Sequence, residues 1–212
     1  MKQSNNRTIE QLNNEAMKQC NNENMYSIWL MPSDKELMRY QDIIDEFSLR
    51  FDTPGFEPHI TLFTGIETLT DDLVYQISVL AALTDTFELM FKELALKNNY
   101  FQAIYLKPDL NESLSKMNEE LTALFPAVNY AFKPHLSLLY GNISKEKKEE
   151  YLQQFDSPIL GNFHATTLRI MKTVGEVEMW QIIEDFPLHH KNQAYLNLIS
   201  DMVQKTRVYR EV

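Results

Sequence analysis

Two stretches of this chain carry the same pattern of proline, histidine, apolar, hydroxyl and apolar residue: Pro58-His59-Ile60-Thr61-Leu62 and Pro134-His135-Leu136-Ser137-Leu138. Side chains alternate faces along a strand, so His59 and Thr61 share one face while Ile60 and Leu62 anchor on the other. The second copy places His135 and Ser137 together in the same way. Free imidazole titrates at about 6.5, so at neutral pH one histidine accepts a proton while another, held protonated by a phosphate, donates one. Two opposed histidines supply what in-line displacement at phosphorus needs without a metal. One deprotonates the attacking water and the other protonates the leaving oxygen. The Thr61 and Ser137 hydroxyls are expected to donate to the non-bridging phosphate oxygens, where charge builds in the transition state. A lone His-x-Thr ordinarily marks a half-buried histidine near a turn. Two copies with matching flanks, among only five histidines, make coincidence the weaker reading.

The elements that must position these residues can be read from local patterns. MYSIWLMP (25–32) reads as a strand stopped by Pro32, and Ser33-Asp34 caps a helix whose Leu37, Tyr40, Ile43, Ile44 and Phe47 recur at helical spacing to Phe51. PHITLF (58–63) and PHLSLLY (134–140) are short strands. Helices are expected over 70–83, from Pro108-Asp109 to Leu124, and over 144–155. Residues 87–96 and 100–106 read as a hairpin turned at Asn98-Asn99, and two more strands are expected near 163–172 and 178–186. This mixture implies an α+β fold with antiparallel sheet. Residues 1–24, polar and holding seven asparagines, read as a frayed or weakly helical extension. The folded domain is expected over 25–187, and 188–212 as a C-terminal segment whose amphipathic helix carries Leu196, Ile199, Met202 and Val203.

Composition bounds the partners. The 212 residues hold 20 Lys plus Arg against 30 Asp plus Glu, a formal charge of −10, with 44% hydrophobic residues. At roughly 150 residues per domain, the length admits one large domain or two small lobes. The acidity argues against a basic groove for duplex nucleic acid, whose binding is driven by cations displacing counterions. It leaves room for a small phosphorylated nucleotide held by local donors. No apolar run approaches the ~20 residues of a membrane helix, and the start has no apolar signal core. The single Cys20 cannot form an internal disulfide. A cytoplasmic monomer with no membrane partner is expected.

The chain resembles the two-histidine (2H) phosphoesterase superfamily, defined by paired His-x-Thr/Ser motifs, and within it the plant and yeast type cyclic phosphodiesterases. The likeness extends beyond the motifs to MYSIWLMP, GFEPHITL, YFQAIYL, PHLSLLYGNISKEKKEE and LRIMKT…EMWQII, over about residues 25–184. It implies a bilobed fold in which two antiparallel sheets, backed by helices, face a central cleft. It makes His59 and His135 the acid and base, Thr61 and Ser137 phosphate-binding hydroxyls, and Tyr140 a further site residue. Simple alternation puts Tyr140 opposite His135, so its role requires a bulge or a strand end. Relatives of this kind open nucleoside 2′,3′-cyclic phosphates to 2′-phosphates and ADP-ribose 1″,2″-cyclic phosphate to the 1″-phosphate. They need no metal or other cofactor. The plant members' disulfides have no counterpart here. The motifs do not divide acid from base, although analogy with ring opening to a 2′-phosphate assigns water activation to His135.

Other residues carry two readings each. Trp29 stacks a base or ribose at the cleft edge, or simply packs in the core. Trp180 and Phe101 are expected in the core, Phe56 over the first motif, and Lys133 and Lys172 near the phosphate or merely solvated. His164, His189 and His190 are expected at the surface or at a helix end. Two rival functions remain at this level. One keeps the chemistry on RNA ends bearing cyclic phosphate or on cyclic oligonucleotide signals, and the other is a non-catalytic nucleotide-binding module.

Overall fold

A computed structural model describes residues 25–189 apart from 110 and 157. Its strands are β1 (Tyr26–Pro32), β2 (Ile60–Ile66), β3 (Phe87–Leu96), β4 (Ile104–Pro108), β5 (Leu136–Leu139), β6 (Asn162–Lys172) and β7 (Gln181–Pro187). Its helices are α1 (Asp34–Phe51), α2 (Asp71–Leu83), α3 (Glu112–Leu124) and α4 (Lys145–Gln153). The architecture is α+β, as expected. The polar 1–24 segment and the C-terminal amphipathic helix lie outside the described residues.

Local chemistry explains most element ends. Thr70, Asn111 and Ser144 each accept a hydrogen bond from the N–H three residues on, capping α2, α3 and α4. Asn111 takes the place expected of Pro108-Asp109, whose proline instead ends β4. Helix α1 buries Tyr40, Ile43, Ile44, Phe47 and Ser48 and stops where Asp52 turns left-handed at φ 53°. Ser33 occupies the N-cap position of α1 without a side-chain cap bond; its hydroxyl pairs with Glu36.

Every strand pairing is antiparallel, in the order β1-β2-β5-β4-β3-β6-β7, with β1 also paired to β6. The eleven-residue β6 makes this possible. Its first residues, Asn162 to Ala165, pair with β3, and its remainder runs between β1 and β7. The β3-β4-β5 and β2-β1-β6-β7 halves are thus hydrogen-bonded together along β6. They meet again at a single pair, Ile60 with Leu136. These residues directly follow the two histidines, so the motif strands are neighbours. Ile60, Leu62, Leu136 and Leu138 are all fully buried, which is the anchoring that alternation requires.

Two expectations are corrected. Tyr100–Gln102 form a 3₁₀ turn rather than the start of a strand, so the hairpin link is longer than an Asn-Asn turn. His189 is buried, not superficial, where its backbone N–H bonds the Thr84 carbonyl at 2.7 Å and pairs the chain beside Asp85. His164 is partly exposed, with Nδ1 2.8 Å from Glu88.

Candidate active site

Both histidines sit one residue ahead of their strands, and their backbones hold them in matching ways. His59 Nδ1 lies 2.6 Å from the carbonyl of Glu57, and His135 Nδ1 lies 2.8 Å from that of Lys133. A carbonyl only accepts, so each Nδ1 carries the proton and each Nε2 keeps its lone pair. Both residues line one cavity of about 300 Å³ with Trp29, Thr61, Ser137 and Tyr140. All six side chains expected at the site are therefore brought together.

The surroundings of the two rings differ. Trp29 stacks on His59 with ring centroids 3.5 Å apart and planes within 5°, and Phe56 meets the imidazole edge-on at 6.4 Å. Phe56 thereby covers the first motif. Trp29 is buried, and one face of its indole is occupied by the imidazole. The Arg169 guanidinium forks onto Asp185 at 2.7 and 2.9 Å and also grips the Glu57 carboxylate, tying β6, β7 and the residue whose carbonyl orients His59. Burial holds the His59 imidazole down at about 3; the charges of His135 and Arg169 add to this, and the Glu57 carbonyl opposes it. His135 is also held below its usual value, first by burial and then by the charge of Lys97, against the Lys133 carbonyl.

Tyr140 reaches the cavity by the route alternation left open. Pairing with β4 shifts register between Ile104 and Tyr105, opposite Leu139 and Ser137, and β5 ends at Leu139. Gly141 then turns at φ 140°, a conformation that disfavours side chains, and its N–H bonds the Tyr100 carbonyl at 2.8 Å. The Tyr140 ring stacks on Phe56 at 3.6 Å, and burial raises its hydroxyl pKa, so it stays protonated.

Phe101 and Trp180 also line the cavity rather than serving the core alone, and Lys133 lies at it while Lys172 does not. Ser137 differs from its expected role in one respect, since its hydroxyl donates to the Phe101 carbonyl at 2.7 Å. Sequence reasoning missed Gln102, whose amide nitrogen is 3.1 Å from His135 Nε2, and the Arg169 network. Neither has a local signature: Gln102 arrives on a turn that reads as strand, and Arg169 on β6, far along the chain from Glu57.

A family model described as cyclic phosphodiesterase-like protein matches residues 25–188. A cyclic phosphodiesterase of Arabidopsis thaliana is 22% identical over 168 residues, which is 76% of this chain and 93% of that protein. A 2′,3′-cyclic-nucleotide 3′-phosphodiesterase of Phaeosphaeria nodorum is 29% identical over 131 residues, 54% of this chain and 67% of that protein. The crystal structure of E. coli LigT complexed with 3′-AMP shares the fold at a TM-score of 0.52 and 13% identity, over 79% of this chain and 99% of LigT. The match across the whole described body, with both motifs inside it, means that the chain belongs to the cyclic phosphodiesterase-like protein family, enzymes of the two-histidine phosphoesterase superfamily.

Proposed function

We propose that this protein hydrolyses a small cyclic phosphate without a metal, with His59 and His135 as acid and base. The substrate is a nucleoside 2′,3′-cyclic phosphate opened to the 2′-phosphate, or ADP-ribose 1″,2″-cyclic phosphate opened to the 1″-phosphate. One observation carries the reading: two imidazoles, each with Nδ1 tied to the carbonyl two residues earlier and Nε2 left to do chemistry, line the same small cavity. A binding module needs no such matched pair.

In the reaction, a neutral imidazole takes a proton from water through Nε2 as the water oxygen bonds to phosphorus. The opposite bond from phosphorus to the ring oxygen breaks, and the second imidazole, protonated on Nε2, gives that proton to the departing oxygen. Thr61 serves the non-bridging oxygens, and Ser137 does so once its hydroxyl turns from Phe101. Trp29 fixes the plane of His59, and Tyr140 remains a neutral donor. The nucleotide class is supported by the 3′-AMP bound to LigT, a protein of the same fold. Among the described residues no three His, Cys, Asp or Glu gather as metal ligands.

Incubation of the full chain with 2′,3′-cyclic AMP in EDTA is expected to yield 2′-AMP. Activity lost to EDTA and restored by a divalent cation overturns the metal-free mechanism. Tight product binding with no turnover of cyclic mononucleotide, cyclic-phosphate RNA end or ADP-ribose cyclic phosphate overturns catalysis altogether.

The depressed imidazole values set the pH dependence. The working pair holds one proton, and the free enzyme takes it up at an apparent value below 6.5; a second proton is taken up only at still lower pH, because burial and the first charge both oppose it. Thus kcat/KM is expected to peak on the acid side of 6.5 and to fall as pH rises and the pair loses its proton. A maximum above pH 8 contradicts this.

A further inference from the structure

The hydroxyl proton of Ser137 is spent on the Phe101 carbonyl, so the second-motif side of the cavity needs another donor already in place for phosphate. Gln102 is built for that task. Its Oε1 accepts from Lys97 Nζ at 2.8 Å, and because an ammonium group only donates, the carboxamide is fixed with its NH₂ toward His135. That nitrogen is 3.1 Å from His135 Nε2 and 3.2 Å from Nδ1. A nitrogen so near both ring nitrogens lies off the ring plane, since in the plane it would collide with ring carbon. The amide nitrogen therefore lies over the face of the imidazole, and its N–H groups stand beside Nε2 at the cavity that both residues line.

The support behind Gln102 is equally specific. Lys97 Nζ also sits over the Tyr105 ring at 5.1 Å, and that ring meets His135 edge-on at 5.5 Å. The Lys97 carbonyl accepts from Lys148 Nζ at 2.6 Å, and Lys148, on α4, is fully buried. The 3₁₀ turn closes with the Gln102 N–H on the Asn99 carbonyl at 3.1 Å. A donor held this way needs no reorganisation when charge develops, and the Lys97 cation polarises the carboxamide into a stronger donor.

We propose that Gln102 is a catalytic residue that donates an amide N–H to a non-bridging oxygen of the cyclic phosphate in the transition state, with Lys97 and Lys148 as its positioning residues. The proposal rests on the histidine roles given above. Steady-state kinetics on 2′,3′-cyclic AMP test it. Gln102→Met, nearly isosteric but without the donor, is expected to lower kcat by ~10²-fold, with KM changed less than about threefold. Gln102→Ala should behave alike, and matching thermal midpoints would show that both variants fold. Lys97→Met is expected to lower kcat about tenfold with Gln102 present and to have little further effect in Gln102→Met, because the two act as one unit. Wild-type turnover with Gln102→Met and Gln102→Ala retaining kcat within threefold overturns the assignment, as does full multiplicativity of the Lys97 and Gln102 effects. Absence of wild-type turnover on every cyclic phosphate instead overturns the histidine reading beneath it, so the two failures are distinguishable.

Discussion

Replacing His59 or His135 with alanine is expected to lower kcat on 2′,3′-cyclic AMP by ~10²- to 10⁴-fold, the usual contribution of a positioned acid or base. The geometry makes both changes severe. Each Nε2 is aimed by a short Nδ1 bond to a carbonyl two residues earlier, so water reaching the vacated space would have no comparable orientation. The His59 variant also removes the partner against which Trp29 stacks at 3.5 Å. Its melting temperature should be measured beside the rate, to separate lost chemistry from lost packing. The double variant is expected to fall little below the worse single one, because an acid without its base no longer contributes fully. A single variant that stays folded and keeps a rate within threefold of wild type would end the assignment of that histidine.

Phe163→Ala is expected to lower stability by about 3–5 kcal/mol, a large part of the 5–15 kcal/mol typical of a domain. Phe163 is fully buried on β6, opposite Leu89 of β3, and meets the Phe91 ring edge-on at 6.0 Å. It stands two residues before Ala165, where β6 pairs with both β3 and β1. Truncation leaves a void at the junction of the two halves of the sheet, where neighbouring strands have least freedom to collapse. For a body of this size the loss corresponds to a drop in Tm on the order of 10 °C, readable by thermal or urea unfolding. A loss below about 1 kcal/mol would show that the junction repacks freely.

Much of the site was legible because its determinants are local. The repeated Pro-His-apolar-hydroxyl-apolar pattern fixes, through strand alternation, which residues face the cavity and which anchor in the core. The burial of Ile60, Leu62, Leu136 and Leu138 follows directly. Thr70 and Ser144 announce their helices through cap hydrogen bonds that span three residues. Tyr140 marks the limit of that logic. Alternation alone sends it to the wrong face, and its place depends on a register shift against β4 and on the turn at Gly141.

The two motifs by themselves determined the chemistry available to this protein, since residue type and strand period are properties of a few adjacent positions. Tertiary structure alone decided how that chemistry is tuned. Arg169 reaches Glu57, Lys97 reaches Gln102, and Trp29 covers His59 only after distant segments pack. A side chain's pKa and orientation depend on what surrounds it in space, and no spacing along the chain encodes the burial that draws the His59 imidazole to about 3.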